Sequence, residues 1–112
     1  MIQLLKQDIS NRLGSDLDNL ELVLSQFKPV QVARNEFLVK QGEVCKQVYF
    51  IAKGCLQVFV YDQDMNETTR DIAIEGTWCS ELLSFGSGKP ANENIKAIEP
   101  TDLLAIDKAG FQ

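Results

Sequence analysis

Two glycines in the segment EFLVKQGEVCKQVYFIAKGCL, residues 36 to 56, constrain this chain more than any other feature. Gly42 and Gly54 stand between short apolar runs. Phe37, Leu38 and Val39 precede the first glycine. Val48, Tyr49, Phe50 and Ile51 lie between the two, and Leu56, Val58, Val60 and Tyr61 follow the second. Runs of β-branched and aromatic residues bounded by glycine predict short antiparallel strands of an all-β roll. Glycine supplies the positive φ that tight corners need. A small closed roll encloses a pocket, so the pattern points toward ligand sensing.

The 112 residues suffice for one domain with one modest core. The expected organisation is a helical N-terminus over 1–28, a β-roll over 29–107 and the start of a further helix over 108–112. Ser15 to Phe27 reads as a helix: Ser15 and Asp16 are candidate N-caps, and Leu17, Leu20, Leu24 and Phe27 recur on one face. A second short helix is expected over residues 2–12. Strands are expected at Val30–Ala33, Phe37–Lys40, Gln47–Ala52, Leu56–Tyr61, Thr68–Ile74, Asn94–Ile98 and Leu103–Asp107. Asp62 to Asn66 reads as a polar hairpin tip. Glu81 to Phe85, after a candidate N-cap at Ser80, reads as one inserted helical turn. The fold class is therefore mainly β: a jelly-roll-like roll, or double-stranded β-helix, with an N-terminal helix, a short inserted helix and the start of a C-terminal one.

Composition removes several functions. The formal net charge is −5 with no basic cluster, which argues against nucleic-acid binding by these residues. There is no histidine, so a Ser-His-Asp triad, histidine metal ligation and a cupin-type metal enzyme are disfavoured. The expectation is not an enzyme and no metal site. Cys45, Cys55 and Cys79 form no C-x-x-C spacing, and an odd count does not suit a secreted disulfide scaffold. They read as small apolar residues of a reducing compartment. No apolar run approaches the ~20 residues of a membrane span, and the N-terminus lacks the pattern of a signal peptide. A cytoplasmic protein without membrane contact is expected.

The order of these elements and several short motifs resemble the cyclic-nucleotide-binding domain of the Crp/Fnr regulators, over essentially Leu17 to Gln112. The glycine corners with Val48-Tyr49-Phe50-Ile51 and Val58 match the family's first hairpin. Gly76-Thr77-Trp78-Cys79-Ser80-Glu81 resembles its G-x-x-x-G-E. Leu103-Leu104-Ala105-Ile106-Asp107 followed by Phe111 resembles the last strand and helix entry. In that family the short helix after the G-E element presents backbone N–H groups to the cyclic phosphate, its glutamate binds the ribose, and an arginine further along clamps the phosphate.

Carried over residue by residue, the resemblance implies a ligand site at Cys79, Ser80, Glu81 and Leu82, with Glu81 in the ribose-binding position and Ser80 in place of the preceding glycine. Ala91, Asn92 and Glu93 fall where the family has R-S/T-A, so the phosphate arginine is missing and Glu93 adds negative charge. Loss of one charge-assisted hydrogen bond, ~1.5–3 kcal/mol, would weaken an anion roughly 10–100-fold. No cofactor is fixed; a cyclic nucleotide or another small anionic ligand is the expectation. Arg70 would share a strand face with Ile72 and Ile74. It either offers a replacement cation from another wall or faces solvent beside the hairpin. Glu81 either meets a ligand or caps its own helix. Asn92 and Asn94 either donate amide hydrogen bonds or serve as loop polarity. Trp78 and Phe85 read as core.

The implied function is the N-terminal effector domain of a Crp/Fnr-like transcription regulator, with a small-molecule effector as partner. The resemblance adds a homodimer through the C-terminal helix of the full-length protein, and DNA contact only through a helix-turn-helix outside this sequence. The alternative is a roll that has lost its ligand and acts as a protein-interaction or dimerisation module.

Overall fold

The computed structural model of the chain describes residues 2–13 and 24–107. Its eight strands are β1 (Lys28–Val32), β2 (Phe37–Val39), β3 (Gln47–Lys53), β4 (Cys55–Tyr61), β5 (Glu67–Ile74), β6 (Trp78–Cys79), β7 (Asn94–Ala97) and β8 (Thr101–Asp107). Helix α1 spans Ile2–Leu13, and the short helix α2, Leu82–Ser87, lies between β6 and β7. The strands form two four-stranded sheets, in the orders β1-β8-β3-β6 and β2-β7-β4-β5, and every pairing is antiparallel. This is the mainly β roll expected from the glycine-punctuated runs.

The seven expected strands are present, with ends displaced by one or two residues. β1 begins at Lys28, so Pro29 lies inside a strand. It is tolerated there because β1 is the edge of its sheet, where a missing N–H breaks no inner ladder. The two-residue strand β6 was not expected. Helix α2 starts one residue later and ends two later than the predicted turn. α1 matches the helix expected over residues 2–12. Of the helix expected over Ser15 to Phe27, only its end is described: Leu24 and Ser25 are helical and Phe27 is buried. Residues 14–23, and the helix start at 108–112, lie outside the described residues.

The core is shared by both sheets. Leu56, Val58 and Ile95 join Ile51, Leu103 and Ala105 in one buried cluster. β3 and β8 sit in the middle of their sheet and are buried at nearly every position. One reason is a second apolar layer. Trp78 packs on Phe50 at 5.1 Å between ring centroids and on Phe27 at 5.8 Å. Its indole N–H donates to Asp8 Oδ2 at 2.8 Å, which ties α1 to the sheet beside buried Leu5 and Ile9.

Gly54 makes the corner between β3 and β4, at φ +104°. A Cβ there would lie 2.8 Å from Thr101 Cα and 2.9 Å from the Pro100 carbonyl oxygen, so both backbone angle and space require glycine. The hairpin tip is where the sequence placed it. Asp62 Oδ1 accepts the N–H groups of Asp64 and Asn66 at 2.8 and 2.9 Å, an Asx turn.

Candidate functional site

The motif residues converge around one cavity between the two sheets. It has a volume of about 140 Å³. Its apolar lining comes from Val48 on β3, Val58 on β4, and Trp78 and Cys79 on β6; its polar lining is Arg70 and Asp71 of β5 and Ser80.

A bulge explains how Arg70 reaches this place. Val58 pairs with Asp71 and Phe59 with Thr69, so Arg70 is the extra residue of β5. An inserted residue breaks the two-residue alternation and re-aims side chains. Ile72 and Ile74, expected to share a face with Arg70, are 44% and 58% exposed and belong to the solvent side. Arg70 instead joins Asp71 at the cavity. Its guanidinium Nε donates to Glu93 Oε2 in an ion pair that bridges β5 and the loop before β7. The pairing holds the Arg70 guanidinium above its usual range, the hydrogen bond to Glu93 being the largest cause.

Glu81 is only 5% exposed and sits beside the cavity, not in its lining. Its Oε2 accepts the Asn92 N–H at 3.0 Å, and its Oε1 accepts the Ser84 N–H at 3.4 Å. The carboxylate thus caps the first turn of α2 and pins the loop from 88 to 93 against it. Ser80 Oγ donates to the Gln47 carbonyl at 2.9 Å and lies 3.4 Å from Cys45 Sγ. The Cys45 N–H donates to Ser84 Oγ at 2.8 Å, and Ser84 Oγ donates on to the Lys89 carbonyl. These bonds tie α2, the first glycine corner and the following loop into one polar web.

Of the other expected site residues, Ala91 is buried, and its backbone joins the first corner through Gly42 N–H to Ala91 C=O at 2.9 Å and Ala91 N–H to Glu43 C=O at 2.8 Å. Leu82 opens α2. Asn92 contributes its N–H to Glu81 while the residue is exposed. Asn94 is spent on structure: Oδ1 accepts the Gln41 N–H at 2.8 Å and Nδ2 donates to the Phe59 carbonyl. Arg70, Cys79 and Ser80 therefore line the cavity, whereas Glu81, Leu82, Ala91 and Asn92 are not among its lining residues. Asp71, Val48 and Val58 were missed as lining residues. Asp71 keeps the regular alternation with buried Ala73, and was missed because the inward face of β5 is set by its pairing with β4.

Burial pushes the Cys79 thiol up to about 12, with the Asp71 charge adding to the effect. Burial likewise pushes the Tyr49 phenol up to about 12, helped by Cys45 and Cys79. Neither group is ionised near neutrality. Among the described residues, no cluster of His, Cys, Asp and Glu is placed to hold a metal ion. No helix among them is long and apolar enough to cross a membrane. A broader depression of about 700 Å³, lined by Phe37, Lys40, Gln41, Gly42, Tyr61 and Asn94, is open to solvent and shares no lining residue with this cavity.

Two four-stranded antiparallel sheets, with a short helix inserted between β6 and β7 and a small cavity beside it, define a β-roll of the jelly-roll kind. Residues 29–112 match the family model of the cyclic nucleotide-binding domain, and the chain belongs to that family, in its Crp/Fnr type. It is 27% identical over 93 residues to the cAMP-activated global transcriptional regulator CRP of Pasteurella multocida, a match covering 83% of this chain and 44% of that protein. The chain thus spans under half the length of this curated relative. Its fold is similar to the sensor domain of the transcriptional regulator DNR from Pseudomonas aeruginosa, with a TM-score of 0.77, 19% identity, and coverage of 97% of this chain and 72% of that one. It is also similar to the regulatory domain of Toxoplasma gondii PKA crystallised with cAMP, with a TM-score of 0.82, 16% identity, and coverage of 97% and 42%.

Proposed function

We propose that the chain is the effector domain of a Crp/Fnr-like transcription regulator whose cavity is not of the ordinary cyclic-AMP type. The observation that carries this reading is the Arg70–Glu93 pair at the cavity. Where the family pattern has a phosphate-clamping arginine, this chain has Ala91-Asn92-Glu93. The arginine that lines the cavity among the described residues comes from β5 and is already held by Glu93. The volume of about 140 Å³ also falls below the roughly 300 Å³ at which sites for drug-sized ligands begin.

In this reading, ligand occupancy biases the placement of α2 and the loop that Glu81 pins to it. The free energy for a switch comes from unequal ligand affinity for the two arrangements. Dimerisation through a helix after β8, and DNA contact through a helix-turn-helix, belong to the larger regulator. The self-paired Arg70 and the small cavity also favour a second reading, a roll that binds a protein partner and no ligand.

Differential scanning calorimetry with millimolar cyclic AMP, cyclic GMP and a panel of small charged metabolites separates these readings. A ligand at 100 times its Kd stabilises by ~2.7 kcal/mol. The expected result is no shift with cyclic nucleotides and a shift with a smaller molecule. A shift with cyclic AMP overturns the altered-specificity reading. No shift with any compound favours the interaction module.

A further inference from the structure

The cavity carries both signs of charge on adjacent residues, and this names a ligand class. Arg70 and Asp71 both line it, and Glu93 stands against Arg70. A plain anion would meet two carboxylates around one guanidinium, and a plain cation would meet the guanidinium. A molecule bearing one of each charge meets neither obstacle.

The guanidinium has five N–H donors in a fixed fork. Only Nε has a protein partner among the described residues, Glu93 Oε2. The edge formed by the two terminal nitrogens is therefore unspent, and it is the edge that receives a carboxylate through two parallel bonds. Arg70 is half exposed, so its fork can reach a ligand entering from solvent, while Glu93 fixes its direction. Besides Cys79 and the Ser80 hydroxyl, which is spent on the Gln47 carbonyl, the remaining lining is apolar: Val48, Val58 and Trp78. The volume of about 140 Å³ equals roughly five waters at about 30 Å³ each, the size of a molecule with few non-hydrogen atoms.

We propose that the cavity binds a small zwitterion, an α-amino acid with a short apolar side chain: its carboxylate sits on the terminal nitrogens of Arg70, its ammonium faces Asp71, and its side chain packs on Val48 and Val58. Glu93 is a positioning residue that holds Arg70 by Nε. The inference rests on the reading of this cavity as the ligand site.

Isothermal titration of the chain with L-valine, isobutyrate and isobutylamine tests it, because the last two each lack one charge. Valine is expected to bind at least tenfold more tightly than either. Arg70→Leu should weaken valine and isobutyrate at least tenfold, whereas Asp71→Asn should weaken valine and leave isobutyrate equally or more tightly bound. Both positions are exposed, and circular dichroism confirms that each variant is folded. Equal binding of valine and isobutyrate overturns the proposal in favour of a simple anion site, as does valine binding that survives Arg70→Leu. A response to cyclic AMP but not to valine overturns this inference and leaves a sensor domain. A response to neither overturns this inference, and only silence toward every compound of the calorimetric panel overturns the sensor reading itself.

Discussion

β3 and β5 form opposing walls of one cavity and are built to different rules. β3 is buried at five of its seven positions, and β5 only at Ala73 among its eight. β3 lies between β8 and β6, with Trp78 packed against Phe50. β5 is the edge of its sheet, flanked only by β4. The contrast follows from the cost of charge burial. A charged side chain placed among the apolar groups around β3 would lose its hydration, whereas at an edge it keeps water and still reaches inward. The packed wall therefore sets the shape of the cavity, and the wet wall, through Arg70 and Asp71, sets its chemistry.

Substitutions on the two walls should differ in kind. The largest effect is expected for Phe50→Ala, which removes a fully buried ring and should cost about 3–5 kcal/mol in urea denaturation. A loss under 1 kcal/mol would mean that β3 is not the rigid side.

Next in size is an alkaline weakness of the same wall. Tyr49 rises from 10.0 to about 12 and Cys79 from 9.0 to about 12, both chiefly through burial. The folded chain holds these protons more tightly than the unfolded chain does. The stability they lend is whole below about pH 9 and is lost as pH climbs towards 12. At about 1.4 kcal/mol per pH unit of displacement the loss is on the order of 3–4 kcal/mol for either group taken singly. Urea unfolding from pH 8 to 12 measures it, and Tyr49→Phe should flatten the upper part of the decline.

Gly54→Ala strikes the corner between the sheets. The positive φ and the contact with Thr101 and Pro100 should together cost about 2–3 kcal/mol. An unchanged melting temperature would show that this corner can relax.

The smallest stability change is expected on β5. Arg70→Leu breaks an exposed ion pair and should stay within about 0.5 kcal/mol. A larger loss would show that β5 is structural too.

The fold was legible because glycine corners and apolar runs are local signals. β6 was not, since Trp78 and Cys79 are too few to display a period, and their pairing with Phe50 and Tyr49 is set by the sheet. Pro29 hid the first residues of β1 because only topology reveals that this strand is an edge. At the site, the stretch from Cys79 to Asn92 could be read as a unit from its motif. The placement of Arg70 and Asp71 could not: Asp71 shares its face with buried Ala73 through the pairing with β4, and Arg70 leaves the alternation at a bulge that depends on the same pairing. The role of Glu81 was also open in the sequence. Its partners, the N–H groups of Ser84 and Asn92, include one that lies beyond the far end of α2.

The chain has a single tryptophan. That one indole borders the cavity, meets Phe50 edge to face and is tethered to Asp8 of α1. Nature has thus installed an optical gauge at the junction of hollow, sheet and leading helix. Its emission colour and quenching register both the filling of the hollow and the lifting of α1, so an unlabelled sample can disclose whether the two events travel together.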